Sequence, residues 1–491
     1  PESWPESLPE ELGGQEALAL EDLLQGAMTS RADSLALVDN DTRLTYAELD
    51  RLSAGLARRL IESDARTVAI MMGGSPAVIA MIAALRAGVC YVPLDPAWPR
   101  TRSEQVLEAV GADLLLGRQA DPSLGLPFLD IDTVGPGTAA ERWRRVGQSA
   151  AAYVLFTSGS TGEPKSVVVS RANLAYSTAA RQAFYPNPPE AYLLLSALTF
   201  DSSVAGIYWT LASGGKLVLA SDLERRDPDQ IARLISDEGV TDTLCIPSLY
   251  AATLELAPPE ALNSLKRVIV AGEACPPSLL REHLARCAAV ALYNEYGPSE
   301  ATVWTTAARL TARDLDAPVL PIGGAIPGSR VWITDPAGYP LPAGLAGELV
   351  VSGPGVVAEH ASALAAGERV YATGDLAYQN PEGALCFLGR LDRQVKVRGH
   401  RIDPAEIERA LEKLPHVNAA VVLAEASGDG GTTLSAFWEG DCTLEAARTH
   451  LREVLPRALV PRSLVPLPAL PRNANGKLDR AALTGWQAQA S

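Results

Sequence analysis

Tyr153-Val154-Leu155-Phe156-Thr157-Ser158-Gly159-Ser160-Thr161-Gly162-Glu163-Pro164-Lys165 carries an apolar strand into a run of hydroxyls and glycines that ends in a proline and a lysine. Glycines let backbone N–H groups converge on an anion, hydroxyls add donors, and the lysine adds a full positive charge. The stretch therefore reads as a phosphate-gripping loop. Its spacing approaches the P-loop pattern, but Pro164 stands where the second glycine would be. Ser166-Val167-Val168-Val169-Ser170 follows as a β-branched strand, whereas a P-loop opens a helix. The loop thus has a hairpin-like setting and can move as a flap. A Ser/Gly-rich surface turn is the plainer alternative.

Outward from this loop, short apolar strands alternate with amphipathic helices. Strands are predicted over 216–220, 243–246, 267–271 and 289–293, with helices over 228–238 and from Pro276-Pro277 to Cys287. This rhythm predicts an α/β fold of largely parallel sheets covered by helices, with ligands at the carboxyl ends of the strands. Those ends carry Thr157, Gly272 and Tyr296. The stretch 77–85 is apolar all round but short, so it reads as a buried helix. Residues 323–389 are richer in Gly and Pro and look like a more antiparallel β unit. After Arg393 the pattern resets into a small α+β unit of roughly 100 residues. There Asp403 can cap a helix with Pro404 at its first position, and strands are predicted over 417–424 and 434–437 before a helix over 444–455. The expected division is a large unit over 1–391 and a small mobile one over 392–491, hinged at 391–393.

Further blocks fall in a definite order. They are Leu44-Thr45-Tyr46-Ala47-Glu48-Leu49, Leu85-Arg86-Ala87-Gly88-Val89-Cys90-Tyr91-Val92-Pro93-Leu94-Asp95, Asn294-Glu295-Tyr296-Gly297-Pro298-Ser299-Glu300, Gly347-Glu348-Leu349, Tyr371-Ala372-Thr373-Gly374-Asp375-Leu376, the run Gly389-Arg390-Leu391-Asp392-Arg393-Gln394-Val395-Lys396-Val397-Arg398-Gly399, and Asn475-Gly476-Lys477-Leu478-Asp479-Arg480. Together with the loop they resemble the signatures of the adenylate-forming superfamily, and within it most resemble the amino-acid adenylation domains of nonribosomal peptide synthetases, in antibiotic and other secondary metabolism. The resemblance spans nearly the whole chain.

That resemblance implies an enzyme that joins an amino acid to ATP, giving aminoacyl-AMP and pyrophosphate, then passes it to the phosphopantetheine thiol of a carrier protein. Thr157, Ser158, Gly159, Ser160, Thr161, Gly162 and Lys165 would hold the departing phosphates, and Glu300 would help ligate Mg²⁺, for which a hard oxygen ligand is suited. Tyr296 would stack on adenine within Gly272, Asn294, Gly297 and Ser299. Asp375 would accept from both ribose hydroxyls, with Arg390 beside them. Lys477 would bridge the substrate carboxylate and the α-phosphate oxygens; read alone, a lysine near a polar end is ordinarily a solvated charge. Asp375, read alone, is a turn-capping aspartate.

Asp201 would pair with the substrate's α-ammonium, a charge-assisted bond that plain acyl or aryl activators do not need. An aspartate after an apolar run is alternatively a helix cap. The side-chain pocket implied by the resemblance comprises Asp201, Ser202, Ala205, Cys245, Ile269, Ala271, Glu295, Val303, Trp304 and Lys477. Most are small or apolar. Glu295 is the exception, and a buried carboxylate must find a donor, so the side chain recognised is expected to carry an N–H, an O–H or a positive charge. The set is most similar to histidine-activating pockets, then to those for tyrosine or a basic amino acid. Asp392 would be the pivot, presenting the 396–399 loop to a phosphopantetheine arm. Two departures from the family pattern stand out: Ser166 replaces the usual glycine, and residues 356–368 are shorter than usual.

The chain has 491 residues, too many for one compact core, and 47% of them are hydrophobic. Its 42 basic and 58 acidic residues give a net charge of −16, which argues against nucleic acid or an anionic membrane as partner. An ATP site must then build its own local positive field. The six cysteines are scattered without metal spacing and read as reduced thiols of a cytoplasmic protein. No apolar run approaches the ~20 residues that span a bilayer, and no signal peptide is visible. The chain begins at Pro1 rather than Met, as expected of a piece of something longer. The carrier would come from another chain or a downstream region, and an MbtH-like accessory protein is a further expected partner. Two alternatives remain: an acyl- or aryl-CoA synthetase on the same fold, and a catalytically silent nucleotide-binding module.

Overall fold

A computed structural model describes residues 19–40, 42–138, 143–157, 164–363, 369–426, 432–472 and 478–484. They form two compact units. One holds the described residues up to Asp95 with Val110–Leu155 and Val167–Leu391; the other holds Pro96–Ala109, Phe156–Ser166 and the residues from Asp392 on.

The α/β reading holds for the first unit. Strands Leu35–Val38, Lys216–Leu219, Ala191–Leu194, Asp242–Cys245, Arg267–Val270 and Ala291–Tyr296 pair in parallel, in that spatial order. Most are apolar and fully buried, as strands covered on both faces must be. Alternate side chains serve two hydrophobic cores: Leu217, Leu194 and Ile269 enter one, while Val218, Leu193, Val268 and Val270 enter the other. Proline at the first position and the Asp227 carboxylate, accepting from the Asp229 N–H at 3.0 Å, start the helix Pro228–Asp237 as its sequence predicts. The helix Gly74–Ala87 is buried almost all round and ends at Gly88, whose φ of 75° suits a left-handed cap.

The Gly/Pro-rich stretch is antiparallel, as expected, but is not a separate layer. Thr306–Leu310 pairs antiparallel with Ala291–Tyr296, and the same hydrogen-bonded path continues through Pro321–Ala325, Leu385–Arg390, Arg369–Gln379, Gly347–Ser352 and Arg330–Thr334. A second sheet runs in the order Phe128–Asp130, Leu114–Gly117, Thr67–Ile70, Cys90–Pro93, Ala151–Thr157, Lys165–Ser170.

In the second unit, the helix Pro404–Glu412 starts at Asp403, whose side chain accepts from the Ala405 N–H at 3.0 Å. Strands Ala419–Ala426, Thr432–Glu439 and Ser463–Leu467 form its sheet, with the helix Leu444–Val454. Val395–Val397 and His400–Ile402 make a hairpin whose two turn residues, Arg398 and Gly399, both have positive φ, 50° and 77°. That is the signature of a type I′ turn. Among the described residues no helix is long and apolar enough to cross a membrane.

Candidate active site

The strands Arg267–Val270 and Ala291–Tyr296 run side by side with Val270 opposite Asn294, so Gly272 and Tyr296 emerge at the same sheet end. Gly272 has φ 85°, a conformation that favours glycine. Asn294 is buried, and its amide donates to the Pro321 carbonyl at 2.9 Å.

The Tyr296 hydroxyl donates to one carboxylate oxygen of Asp375, and Arg390 donates to the other. Burial, then the charge of Asp375, pushes the Tyr296 phenol well above its usual range, so it stays a donor. Asp375 does not cap a turn. It lies within the strand Arg369–Gln379, directly opposite Arg390, with its N–H donating to the Thr373 hydroxyl at 3.0 Å. The Thr-Gly-Asp sequence reads as a turn because Gly374 does adopt φ 70°, but the strand absorbs this as an irregularity next to Leu376 and Ala377. A buried acceptor gripped by a phenol and a guanidinium is a pre-oriented anion whose remaining lone pairs can take hydroxyl donors.

Beyond Tyr296 the chain turns back sharply. A Cβ on Gly297 would lie 2.3 Å from the Trp304 Cα, so only glycine permits this approach. Thr302 and Val303 hold φ values of 58° and 80°, a strained conformation for β-branched residues that costs about 1–3 kcal/mol each. The surroundings hold them there: the Thr302 hydroxyl donates to the Gly355 carbonyl at 2.6 Å, and Ser177 donates to the Thr302 carbonyl at 3.1 Å. Glu300, in the same turn, is only 1% exposed.

This turn presents Ser299 to Asp201, whose carboxylate accepts from the Ser299 hydroxyl. Asp201 is the first residue of the helix Asp201–Ala212; the capping position is Phe200, with no side-chain cap. The alternative of an ordinary helix cap is thus set aside. Ser202 next to it donates to the Ser196 hydroxyl at 2.9 Å.

Of the expected pocket walls, Ala205, Ile269, Val303 and Trp304 share one hydrophobic core, with Ala271 packed against it. Cys245 does not join them: its side chain enters the opposite core with Tyr250 and Val270, because Leu244 takes the pocket-side place in that strand. Burial pushes the Cys245 thiol up to about 12, so it remains protonated.

Glu295 requires a correction. The expectation that the substrate must satisfy it fails, because donors within the chain already do. Arg181 grips both carboxylate oxygens, each at 2.7 Å, and the Tyr185 hydroxyl donates to one of them at 2.6 Å. Burial opposes the charge on Arg181, but Glu295 outweighs it and its pKa rises; burial, then Glu295, also holds the Tyr185 phenol well above its usual range. Neither partner figures among the expected site residues. A signal was present: Arg181 falls seven residues after Leu174 and four before Tyr185, on the buried stripe of the helix Arg171–Phe184. An arginine there must have a partner.

In the second unit, Thr157 ends the strand Ala151–Thr157 with its hydroxyl 3.5 Å from the Lys165 carbonyl, and the Lys165 side chain is exposed. Ser158, Gly159, Ser160, Thr161, Gly162 and Lys477 lie outside the described residues. At the expected pivot, the Leu391 N–H donates to Gly374 at 2.8 Å, whereas Asp392 accepts from Gln394 at 3.0 Å and Arg393 donates to Glu408 at 3.0 Å.

Among the described residues no cluster of three or more His, Cys, Asp or Glu side chains could hold a metal. A single carboxylate such as Glu300 nonetheless fits Mg²⁺, which keeps several waters and is bound largely through substrate phosphates. Bound there, the ion would neutralise triphosphate charge.

The profile of the AMP-binding enzyme family matches residues 24–359. The chain is 37% identical over 472 residues to bacitracin synthase 3 of Bacillus licheniformis, which covers 91% of this chain but 7% of that protein. It therefore spans a small fraction of the relative's length. The solved structure of holo-PA1221, an NRPS protein containing adenylation and PCP domains bound to a vinylsulfonamide inhibitor, superposes with a TM-score of 0.86 at 27% identity, covering 96% of this chain and 85% of that one. An o-succinylbenzoate CoA synthetase of Bacillus subtilis has the same fold, with a TM-score of 0.83 at 23% identity over 94% of this chain and 98% of that one. On these grounds the chain belongs to the AMP-binding enzyme family, as an ATP-dependent adenylating ligase of the kind that forms the adenylation domain of nonribosomal peptide synthetases.

Proposed function

We propose that this domain activates an amino acid and loads it onto a carrier protein. A carboxylate oxygen of the amino acid attacks the α-phosphorus of ATP, the bond to pyrophosphate breaks, and aminoacyl-AMP forms. A phosphopantetheine thiol then attacks the acyl carbon, and AMP leaves as the thioester forms. One observation carries the amino-acid part: the Asp201 carboxylate stands at the start of an apolar buried helix, oriented by Ser299. An anion fixed where a buried apolar helix begins suits an α-ammonium, and an acyl or aryl acid has no use for it. Asp375, held by Tyr296 and Arg390, suits the ribose hydroxyls. Lys477 is assigned the bridge between carboxylate and α-phosphate, Thr157 with the 158–162 loop and Lys165 the leaving phosphates, and Glu300 the Mg²⁺ ion. The large and small domains pivot at Asp392, and the tight 396–399 hairpin faces the carrier's arm in the second half-reaction. The sequence likeness of the pocket favours histidine first, then tyrosine or a basic residue.

The test is ATP–pyrophosphate exchange across the amino acids, beside acyl and aryl acids with CoA. Exchange confined to amino acids, and lost in Asp201→Ala, supports the reading. CoA thioester formation that survives Asp201→Ala favours an acyl- or aryl-CoA synthetase instead. Binding of ATP without any exchange leaves a silent nucleotide-binding module. Co-expression with an MbtH-like protein shows whether that partner raises the yield of active domain.

A further inference from the structure

We infer that Arg181 sets the substrate class of the proposed pocket, because it removes Glu295 from use by the ligand and leaves a neutral site that offers donors. The inference rests on the amino-acid reading of that site.

The geometry is closed on the acidic side. Both Glu295 oxygens accept from Arg181 at 2.7 Å, and Tyr185 adds a third donor at 2.6 Å. Arg181 and Glu295 have side chains only 1% and 2% exposed, so solvent does not screen the pair. The Arg181 guanidinium carbon also lies 4.3 Å from the centre of the Trp304 ring, a pocket wall. A lysine-, ornithine- or arginine-like side chain entering here would meet a fixed guanidinium and a carboxylate already neutralised. An acidic side chain would meet Glu295. Either charge would be desolvated without a counter-ion of its own.

Three unsatisfied groups gather around this pair. Arg181 Nε, Trp304 Nε1 and Trp209 Nε1 are buried without a hydrogen-bond partner. All three are donors, and both indoles lie against the same guanidinium, with Trp209 at 5.8 Å. Unpaired buried donors are costly and select ligands that complete them. The fitting side chain is therefore uncharged and bears an acceptor: a phenol oxygen, a side-chain amide oxygen, or the unprotonated nitrogen of a neutral imidazole. Basic amino acids drop out of the set that the sequence likeness allows.

The experiment is ATP–pyrophosphate exchange on the wild-type domain at pH 8, with tyrosine, histidine, glutamine and asparagine set against lysine, ornithine, arginine, aspartate and glutamate. The best neutral acceptor-bearing substrate is expected to exceed every charged one by at least about 100-fold, the discrimination a site shows when buried polar groups are left unpaired. In Arg181→Met the carboxylate is released, and the ratio of cationic to neutral exchange is expected to rise at least tenfold. Should that variant fail to fold, Glu295→Gln decides: it leaves the buried Arg181 guanidinium uncompensated, so the ratio of acidic to neutral exchange is expected to rise at least tenfold. A wild-type domain that favours a charged amino acid, a folded Arg181→Met with an unchanged ratio of cationic to neutral exchange, or a folded Glu295→Gln with an unchanged ratio of acidic to neutral exchange overturns this inference alone. Absence of exchange with every amino acid overturns the amino-acid reading, and the inference with it.

Discussion

Asp375 sits between the Tyr296 hydroxyl and the Arg390 guanidinium, one carboxylate oxygen to each, on strands that place it opposite Arg390. Removing it takes the carboxylate acceptor from two buried groups, the Tyr296 hydroxyl and the Arg390 guanidinium, whose side chain is only 9% exposed. Asp375→Ala is expected to lower stability by roughly 3–5 kcal/mol, the usual result of breaking a buried pair on one side. Asp375→Asn, which keeps the shape, should fold better yet show a raised KM for ATP in exchange assays. An unchanged KM in the folded Asn variant would remove Asp375 from the nucleotide site.

Gly297 admits no side chain against the Trp304 backbone. Gly297→Ala should cost about 1–3 kcal/mol from overpacking and also displace the strained Thr302-Val303 turn. Urea unfolding and exchange kinetics together check this, and a variant with native stability and kinetics would contradict it.

His283 provides a pH signature of stability. Its two ring nitrogens lie 2.8 Å from the Tyr250 hydroxyl and 2.9 Å from the Val290 carbonyl. Burial lowers its pKa below the ordinary 6.5, only partly offset by the Val290 carbonyl. The unfolded chain therefore takes up a proton that the folded one resists, so the contribution is intact above pH 6.5 and shrinks as pH falls toward the lowered value. Stability should decline with a slope of at most about 1.4 kcal/mol per pH unit from this group. His283→Gln should flatten the denaturation midpoint between pH 6.5 and 5; an identical slope would refute the assignment.

All six cysteines are free and buried. Burial alone raises Cys275 to about 12, and with a small offset from Arg171 it raises Cys90 to about 12 too. The folded protein should thus react slowly with a thiol reagent at pH 8, and six thiols should appear on unfolding. Rapid labelling of several before unfolding would show otherwise.

Lys477→Ala, at the residue assigned the bridging cation, is expected to cut exchange by about 10²–10³-fold. Thermal stability should stay within about 0.5 kcal/mol of wild type, since lysine side chains are seldom buried. Undiminished exchange would reassign the role.

The βα part of the fold was legible because its signals are local. Asp403-Pro404 announces a helix start, and the apolar runs that become Asp242–Cys245 and Arg267–Val270 announce buried strands. The continuity of the antiparallel stretch with the main sheet was not, since Pro321 opposite Cys386 is a pairing between distant residues. Asp375 looked like a turn because a glycine with positive φ precedes it, and only the neighbouring strands reveal the bulge. The family resemblance pointed to Asp201 and Glu295, but a resemblance names a residue and not its partner. Ser299 and Arg181 decide what those two carboxylates have left to offer, and both lie about a hundred residues away.

The alternation of side chains along the parallel strands separates tuning from scaffolding. Ile269 belongs to the same core as Trp304 and Val303, while Val268 and Val270 belong to the rear layer with Leu193 and Leu292. In the proposed pocket, a library that randomises Ile269 and Ala205 is expected to vary ligand shape while the rear layer keeps its native composition, whereas one that includes Cys245 also disturbs that rear layer.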